Sequence, residues 1–275
     1  MQKKYWWVDM YQPFYFLTFL KNYDIIYIER KKERKKDMID MQYCRETLNN
    51  LIENHRFGEV LTQSKGRFAW REEEGFEDSF LFNGGATRSV IFHEDWDFVL
   101  KIDEDCDCGW SENERYIYNI ARKLGFDKFF ASCERLSFNI EGEEVFAYVY
   151  EKCDCDEYEI SSASRQVCFE GYCNRHGLDS SSEEALKHYE DSDEYLEPDE
   201  DDEAMFKLLQ HTWGLSDTEV EKFREFCAIN YIGDLHPGNW GFRGGKLVII
   251  DYAAYGSDAM HIKAMREEEE KEINI

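Results

Sequence analysis

Asp234, Asn239 and Asp251 are set apart by their chemical types and their spacing. They lie in Asp234-Leu235-His236-Pro237-Gly238-Asn239-Trp240-Gly241-Phe242, which runs through Arg243-Gly244-Gly245-Lys246 into Leu247-Val248-Ile249-Ile250-Asp251. Two short apolar runs on either side of a Gly-Gly pair predict a β-hairpin, because glycine supplies the positive φ angles of tight turns. Asn239 and Asp251 are symmetric about Gly245, so this register predicts that they face each other at the open end of the ribbon, beside Asp234. Oxygen ligands converging there suit Mg²⁺, a hard cation that takes a few protein oxygens and leaves its other positions to phosphates and water. Asp, Pro, Gly and Asn are also ordinary turn residues, but a turn requires neither the second aspartate nor its register.

A cation and a partner for it stand upstream. In Asp97-Phe98-Val99-Leu100-Lys101-Ile102, strand alternation puts Phe98, Leu100 and Ile102 on one face, with Val99 and Lys101 on the other. A lysine on an inward face is costly unless paired. The next element is a predicted helix opened by Ser111-Glu112-Asn113-Glu114 and ended by Gly125, with Tyr116, Ile117, Ile120, Ala121 and Leu124 as its apolar face. Glu114 is the expected ion-pair partner of Lys101, with Glu112 in reserve. The same residues also fit a capping box, in which Glu114 only reaches back to the Ser111 amide. Gly84 and Gly85 sit between two apolar runs, where backbone N–H groups could approach phosphate oxygens or simply turn a hairpin.

Further elements must position these groups. A helix is expected over residues 41–55, with Leu48, Leu51 and Ile52 at helical spacing, and strands over residues 129–140 and 145–152. The acidic stretch 179–203 reads as a solvated, mobile loop or as a flap over a cationic acceptor. Helix resumes at Ala204. Ser216-Asp217-Thr218-Glu219 starts another, with Val220, Phe223, Phe226 and Cys227 on one face, which delivers the chain to Asp234.

These motifs resemble the catalytic core of the protein-kinase-like superfamily, closest to its aminoglycoside phosphotransferase-type branch of small-molecule kinases, over residues 80–254. The resemblance implies an α+β, two-lobed protein-kinase-like fold, with an antiparallel-sheet small lobe and a mostly helical large lobe whose C-terminal part is truncated. It implies ATP and Mg as cofactors and transfer of the γ-phosphoryl group to a hydroxyl of a small molecule or protein. Asp234 would orient the acceptor, Lys101 would hold phosphates and Glu114 would fix Lys101, while Asn239 and Asp251 would hold the metal. Gly84, Gly85 and the backbone at Glu151, in the position of a hinge, would contact nucleotide. There are departures: Ile232-Gly233 precedes Asp234 in place of His-Arg, Tyr252-Ala253 follows Asp251 in place of Phe-Gly, and the glycine loop is incomplete. The stretch from Asp251 to Ile275 is also short for an activation segment and substrate-docking helices. A kinase-like module that binds nucleotide or a partner without turnover is the alternative.

Composition bounds the partners. The chain has 275 residues, 43% hydrophobic and 16% aromatic, enough to fill a core. A formal net charge of -26 argues against nucleic-acid binding and would favour a cationic acceptor. Nine cysteines, an odd number, fit a reducing cytoplasm. The pairs Cys106/Cys108 and Cys153/Cys155 are too closely spaced for the usual zinc knuckle. Residues 10–20 are about half of the ~20 apolar residues that a membrane span needs, so no membrane anchor is expected. Residues 1–37 are expected to be a disordered or non-native leader. Its purine-rich codons for Lys32-Glu33-Arg34-Lys35-Lys36 would fit a translated ribosome-binding site ahead of a start at Met38, or second at Met41. The small lobe is then expected over residues 38–152 and the large lobe over 153–275.

Overall fold

Strand alternation decides the architecture around Lys101. A computed structural model of the chain describes residues 39–54, 80–84, 88–103, 109–196, 202–253 and 256–273. Five strands form one antiparallel sheet in the order β1-β2-β3-β5-β4: β1 (Phe80–Gly84), β2 (Arg88–His93), β3 (Phe98–Asp103), β4 (Cys133–Ile140) and β5 (Glu143–Glu151). Ile91, Phe98, Leu100, Ala147 and Val149 face one way, where Cys44, Leu48 and Leu51 of α1 (Met41–Asn54) complete a core. Trp96 stacks on Phe98 within it, ring centroids 4.6 Å apart.

The opposite face carries Val99 and Tyr150 and packs on α2 (Trp110–Leu124) through Ile117, Tyr118 and Ala121. This helix is rotated from the apolar face expected of it. Leu124 is exposed, whereas Asn113 and Glu114 are buried. The rotation follows from the partners those two polar groups find. The capping-box alternative is not realised, because the helix begins one residue earlier, after Gly109, and Ser111 instead donates its N–H and Oγ–H to Asp103.

The second layer of the core is helical. After α3 (Glu157–His176) and α4 (Glu183–Glu190) come α5 (Asp202–Trp213) and α6 (Asp217–Ile229), which bury Met205, Phe206, Leu209, Phe223 and Phe226 against the hairpin β6 (Trp240–Arg243) and β7 (Lys246–Ile249). Ser216 caps α6 reciprocally with Glu219 in a capping box. The last helix is α7 (Gly256–Ile273). The class is α+β with antiparallel pairing between all neighbouring strands of the two described sheets, and none of the described helices is long and apolar enough to cross a membrane.

Residues 38–168 with 196–275 make one compact unit, and residues 169–195 belong to a second. In the second, the acidic stretch read as a mobile loop contains α4, capped by Ser182 and anchored by buried Ala185 and Tyr189. Tyr172 bonds His188 Nδ1 at 2.5 Å, and Glu194 holds both Arg175 and His176. Apolar positions inside an acidic run were enough to form a helix. The leader expected at residues 1–37, with the Met38 start, lies outside the described residues, as do Gly85 and the Cys106/Cys108 pair.

Candidate active site

The hairpin forms, but its register differs by one from the expected one. Trp240 pairs with Ile249 and Arg243 with Lys246, so the turn is the two-residue Gly244-Gly245, both at positive φ (54° and 77°). Asn239 therefore faces Ile250 rather than Asp251. The two predicted metal residues still meet, because the Asn239 carbonyl accepts the N–H groups of Ile250 (2.9 Å) and Asp251 (3.3 Å).

The preceding loop is fixed from several directions. Tyr231, just past the C-cap Asn230 of α6, has a φ of 57°, a left-handed conformation that costs about 1–2 kcal/mol for a non-glycine residue. Leu235 is buried, and its carbonyl accepts Trp240 Nε1–H at 2.9 Å. Asn239 donates Nδ2–H to the Asp234 carbonyl at 2.7 Å, which leaves its Oδ1 as the acceptor end of the amide. The Asp234 side chain is 44% exposed, with His236 Nε2 at 3.8 Å.

Lys101 and Glu114 are brought together. Lys101 Nζ lies 3.2 Å from both Glu114 oxygens and donates to the Ile250 carbonyl at 2.7 Å, so all three of its protons have acceptors. Asp251 Oδ1 is 4.0 Å away, and the ammonium sits 4.4 Å from the Tyr150 ring centroid. Glu114 also accepts the N–H groups of Tyr252 (2.8 Å) and Ala253 (3.3 Å), which ties α2 to the segment after Asp251. Burial alone would raise the Glu114 pKa, but Arg88 and Lys101 outweigh it and hold the carboxyl well below its usual range.

Arg88 is the residue that sequence reading missed. It is buried, grips Glu114 through Nη1 (2.5 Å) and Nη2 (3.2 Å), and donates from Nη2 to Asp251 Oδ1 as well. Strand parity carried the signal, since Arg88 and Val90 share a parity opposite to Ile91, and Val90 is the register partner of Lys101. Burial opposes the Arg88 charge, yet Glu114 and Asp251 raise its pKa well above normal.

Other expected site residues are placed differently. Glu112, the reserve partner, belongs to an outer cluster with Arg115, Arg135 and the Tyr148 hydroxyl. Glu151 is still within β5. Its N–H goes to Ser132 O, and its carboxylate accepts from Arg243 at 2.9 Å and from the Ser132 N–H at 3.3 Å. These bonds tie Glu151 to Ser132 and to Arg243 of β6, and its N–H already has an acceptor. Gly84 ends β1 opposite Ser89. Cys153 is half-buried, and desolvation is the chief cause that raises its thiol pKa.

Next to the loop, the Glu157 carboxyl carbon lies 3.5 Å from where a Cβ on Gly238 would stand. Glu157 also lines an open cavity of about 760 Å³ with Asp156, Tyr158, Ser161, Ser162 and Arg165.

These elements define an α+β protein with a buried four-ion cluster and an exposed carboxylate on a fixed loop. No family model and no curated protein matches the chain, so its functional reading rests on these residues and their geometry.

Proposed function

We propose that the chain is a two-lobed, kinase-like phosphotransferase that moves the γ-phosphoryl group of ATP to a hydroxyl, with its lobes dividing near Lys152. The observation that carries this reading is the convergence of Lys101, Glu114 and Asp251 in one cluster, with Asn239 bonded both to the Asp234 backbone and to the Asp251 amide. An unrelated α+β protein has no need to join a strand lysine, a helix glutamate and a hairpin aspartate.

The residues fit a divalent cation. Asn239 Oδ1 is free of the amide's own hydrogen bond, and Asp251 is 29% exposed, with Oδ2 as a further oxygen. One amide and one carboxylate suit Mg²⁺ shared with phosphates. When bound there, the ion would neutralise charge on the β- and γ-phosphates. Asp234, exposed and anchored through its backbone, accepts the hydrogen bond or the proton of the attacking hydroxyl. Lys101, held by Glu114, supplies fixed positive charge. An acceptor entering through the cavity would pass the Asp156 and Glu157 carboxylates, which outnumber the one arginine of the lining, Arg165, and favour a cationic small molecule.

The alternative, a kinase-like nucleotide- or partner-binding module without turnover, is favoured by the contact of Arg88 with Asp251, which occupies one oxygen of the metal carboxylate. Melting the protein with millimolar ATP, with and without Mg²⁺, tests the shared premise. A Mg-dependent rise in Tm is expected, and its absence sinks the phosphotransferase and the nucleotide-binding module, leaving only a partner-binding one. Release of ADP on adding hydroxylated cationic acceptors then separates turnover from binding.

A further inference from the structure

The four-ion cluster contains a cation that the proposed phosphate chemistry does not require. Lys101 already answers Glu114, yet Arg88 is sealed in beside it at 3% exposure, with its guanidinium facing two acids at once. Those acids are not equivalent. Glu114 is fully buried and also holds Lys101 and two main-chain N–H groups, whereas Asp251 is 29% exposed. Of the two, Asp251 is the one that can change partner. Lys101 Nζ is 4.0 Å from Asp251 Oδ1 and makes no hydrogen bond to it, because its donors go to Glu114 and Ile250 O.

We propose that Arg88 is a positioning residue that holds the Asp251 carboxylate in the metal-free protein and cedes it to the divalent cation while keeping its two-pronged grip on Glu114. This inference rests on the reading of Asp251 as a metal ligand. Formal charges support it: Arg88 and Lys101 balance Glu114 and Asp251, whereas without Arg88 two carboxylates would share one lysine. A cation arriving alone must displace a guanidinium from a charge-assisted bond, which lowers its affinity. A cation arriving with nucleotide brings phosphate oxygens that can take up the guanidinium donor released from Asp251. Binding of metal and nucleotide is thereby coupled.

The test titrates the full chain with Mn²⁺, a paramagnetic stand-in for Mg²⁺, with and without a β,γ-imido analogue of ATP, and reads free Mn²⁺ by electron paramagnetic resonance. The unmutated protein is expected to bind Mn²⁺ weakly alone and tightly with the analogue. In Arg88→Gln, nucleotide-free Mn²⁺ binding should tighten by about tenfold, the scale of removing a close competing charge pair. Unchanged or weaker binding in a variant that still melts cooperatively overturns the proposal. Should Arg88→Gln fail to fold, Asp251→Asn melted in a metal chelator decides. A lower Tm than the unmutated protein supports the Arg88 contact, and an equal or higher Tm refutes it. If the unmutated chain binds no Mn²⁺ even with the analogue, the metal reading itself has failed and the inference falls with it. The comparison between Arg88→Gln and the unmutated chain isolates failure of the inference alone.

Discussion

Glu114 and Asp234 are both carboxylates of the candidate site, and their surroundings are opposite. Glu114 has no exposed surface and accepts from Arg88, Lys101 and the N–H groups of Tyr252 and Ala253. Asp234 is 44% exposed, and the His236 ring stands 3.8 Å away. A carboxylate bound on every side can hold elements in place but has little capacity left for chemistry. One that is fixed through its backbone and left open at its side chain can receive a substrate. Under the proposed function, the contrast assigns position to Glu114 and reactivity to Asp234.

The largest effect that could break this division is at Glu114. Glu114→Ala strands two buried cations, and breaking a buried pair in this way costs about 3–5 kcal/mol. Urea denaturation should register a loss of that size, and a loss below about 1 kcal/mol would remove Glu114 as the organising residue. Its pH signature has a definite sign. The folded pKa is depressed, so the stabilisation is complete above the unfolded value of about 4.3 and is lost as pH falls from there toward the folded pKa. Asp103 has the opposite sign: burial raises its pKa, so its charge opposes folding, and protonation on mild acidification relieves that cost. Glu114→Gln should therefore flatten the steep acid limb of stability below about pH 4.

Asp234→Asn is expected to do the reverse. Stability should change by no more than about 0.5 kcal/mol, as for other exposed substitutions, and the Mg-ATP-dependent rise in Tm should remain. Turnover should fall by roughly 10²-fold or more, the scale of losing a positioned acid or base. A variant that loses nucleotide binding instead would place Asp234 among the structural groups and erase the contrast.

The contrast also marks what could be read from the sequence. The sidedness of Phe98, Leu100 and Lys101, the helix start at Ser216 and the Gly-Gly hairpin are local patterns, each decided within a few residues, and they form as expected. Pairing of Lys101 with Glu114 spans one strand-to-helix connection and was also legible. Arg88 was not, because its second partner lies 163 residues away and only the closed fold brings them together. The one-residue register shift at Asn239 had a different origin. Symmetry about a single glycine was assumed where both glycines sit at the turn. Helix α4 was hidden by its charge, since two buried side chains, Ala185 and Tyr189, suffice to anchor eight residues.

A smaller effect tests how rigidly the loop is held. Gly241 lies where β6 meets the chain after β5, joined by reciprocal bonds between Asp154 and Phe242 (3.0 and 2.7 Å). A Cβ there would stand 2.9 Å from Cys153 Cβ and 3.0 Å from Ile250 Cγ2. Gly241→Ala should cost about 1–3 kcal/mol, as overpacking of a close contact does. Because Ile250 adjoins Asp251, the same variant should weaken Mg-ATP binding measured calorimetrically. Destabilisation with unaltered nucleotide affinity would show that the hairpin tolerates movement without disturbing the site.

The smallest expected effect concerns His236, whose ring stands beside Asp234. Its Nδ1 accepts the Gly238 N–H at 3.2 Å, so the neutral ring carries its proton on Nε2, on the side of Asp234. At 3.8 Å that proton is beyond hydrogen-bond reach, and both side chains are nearly half exposed, a setting in which ion pairs are worth about 0–1 kcal/mol. His236→Ala should therefore shift stability by less than about 1 kcal/mol and turnover by less than about tenfold, well short of Asp234→Asn. The double variant should then lose close to the sum of the two single effects in free-energy terms. If His236→Ala instead matches Asp234→Asn and the double variant loses nothing more, the two side chains work as one unit. Asp234 would then be an oriented member of a dyad, and its contrast with Glu114 would reduce to a difference in exposure.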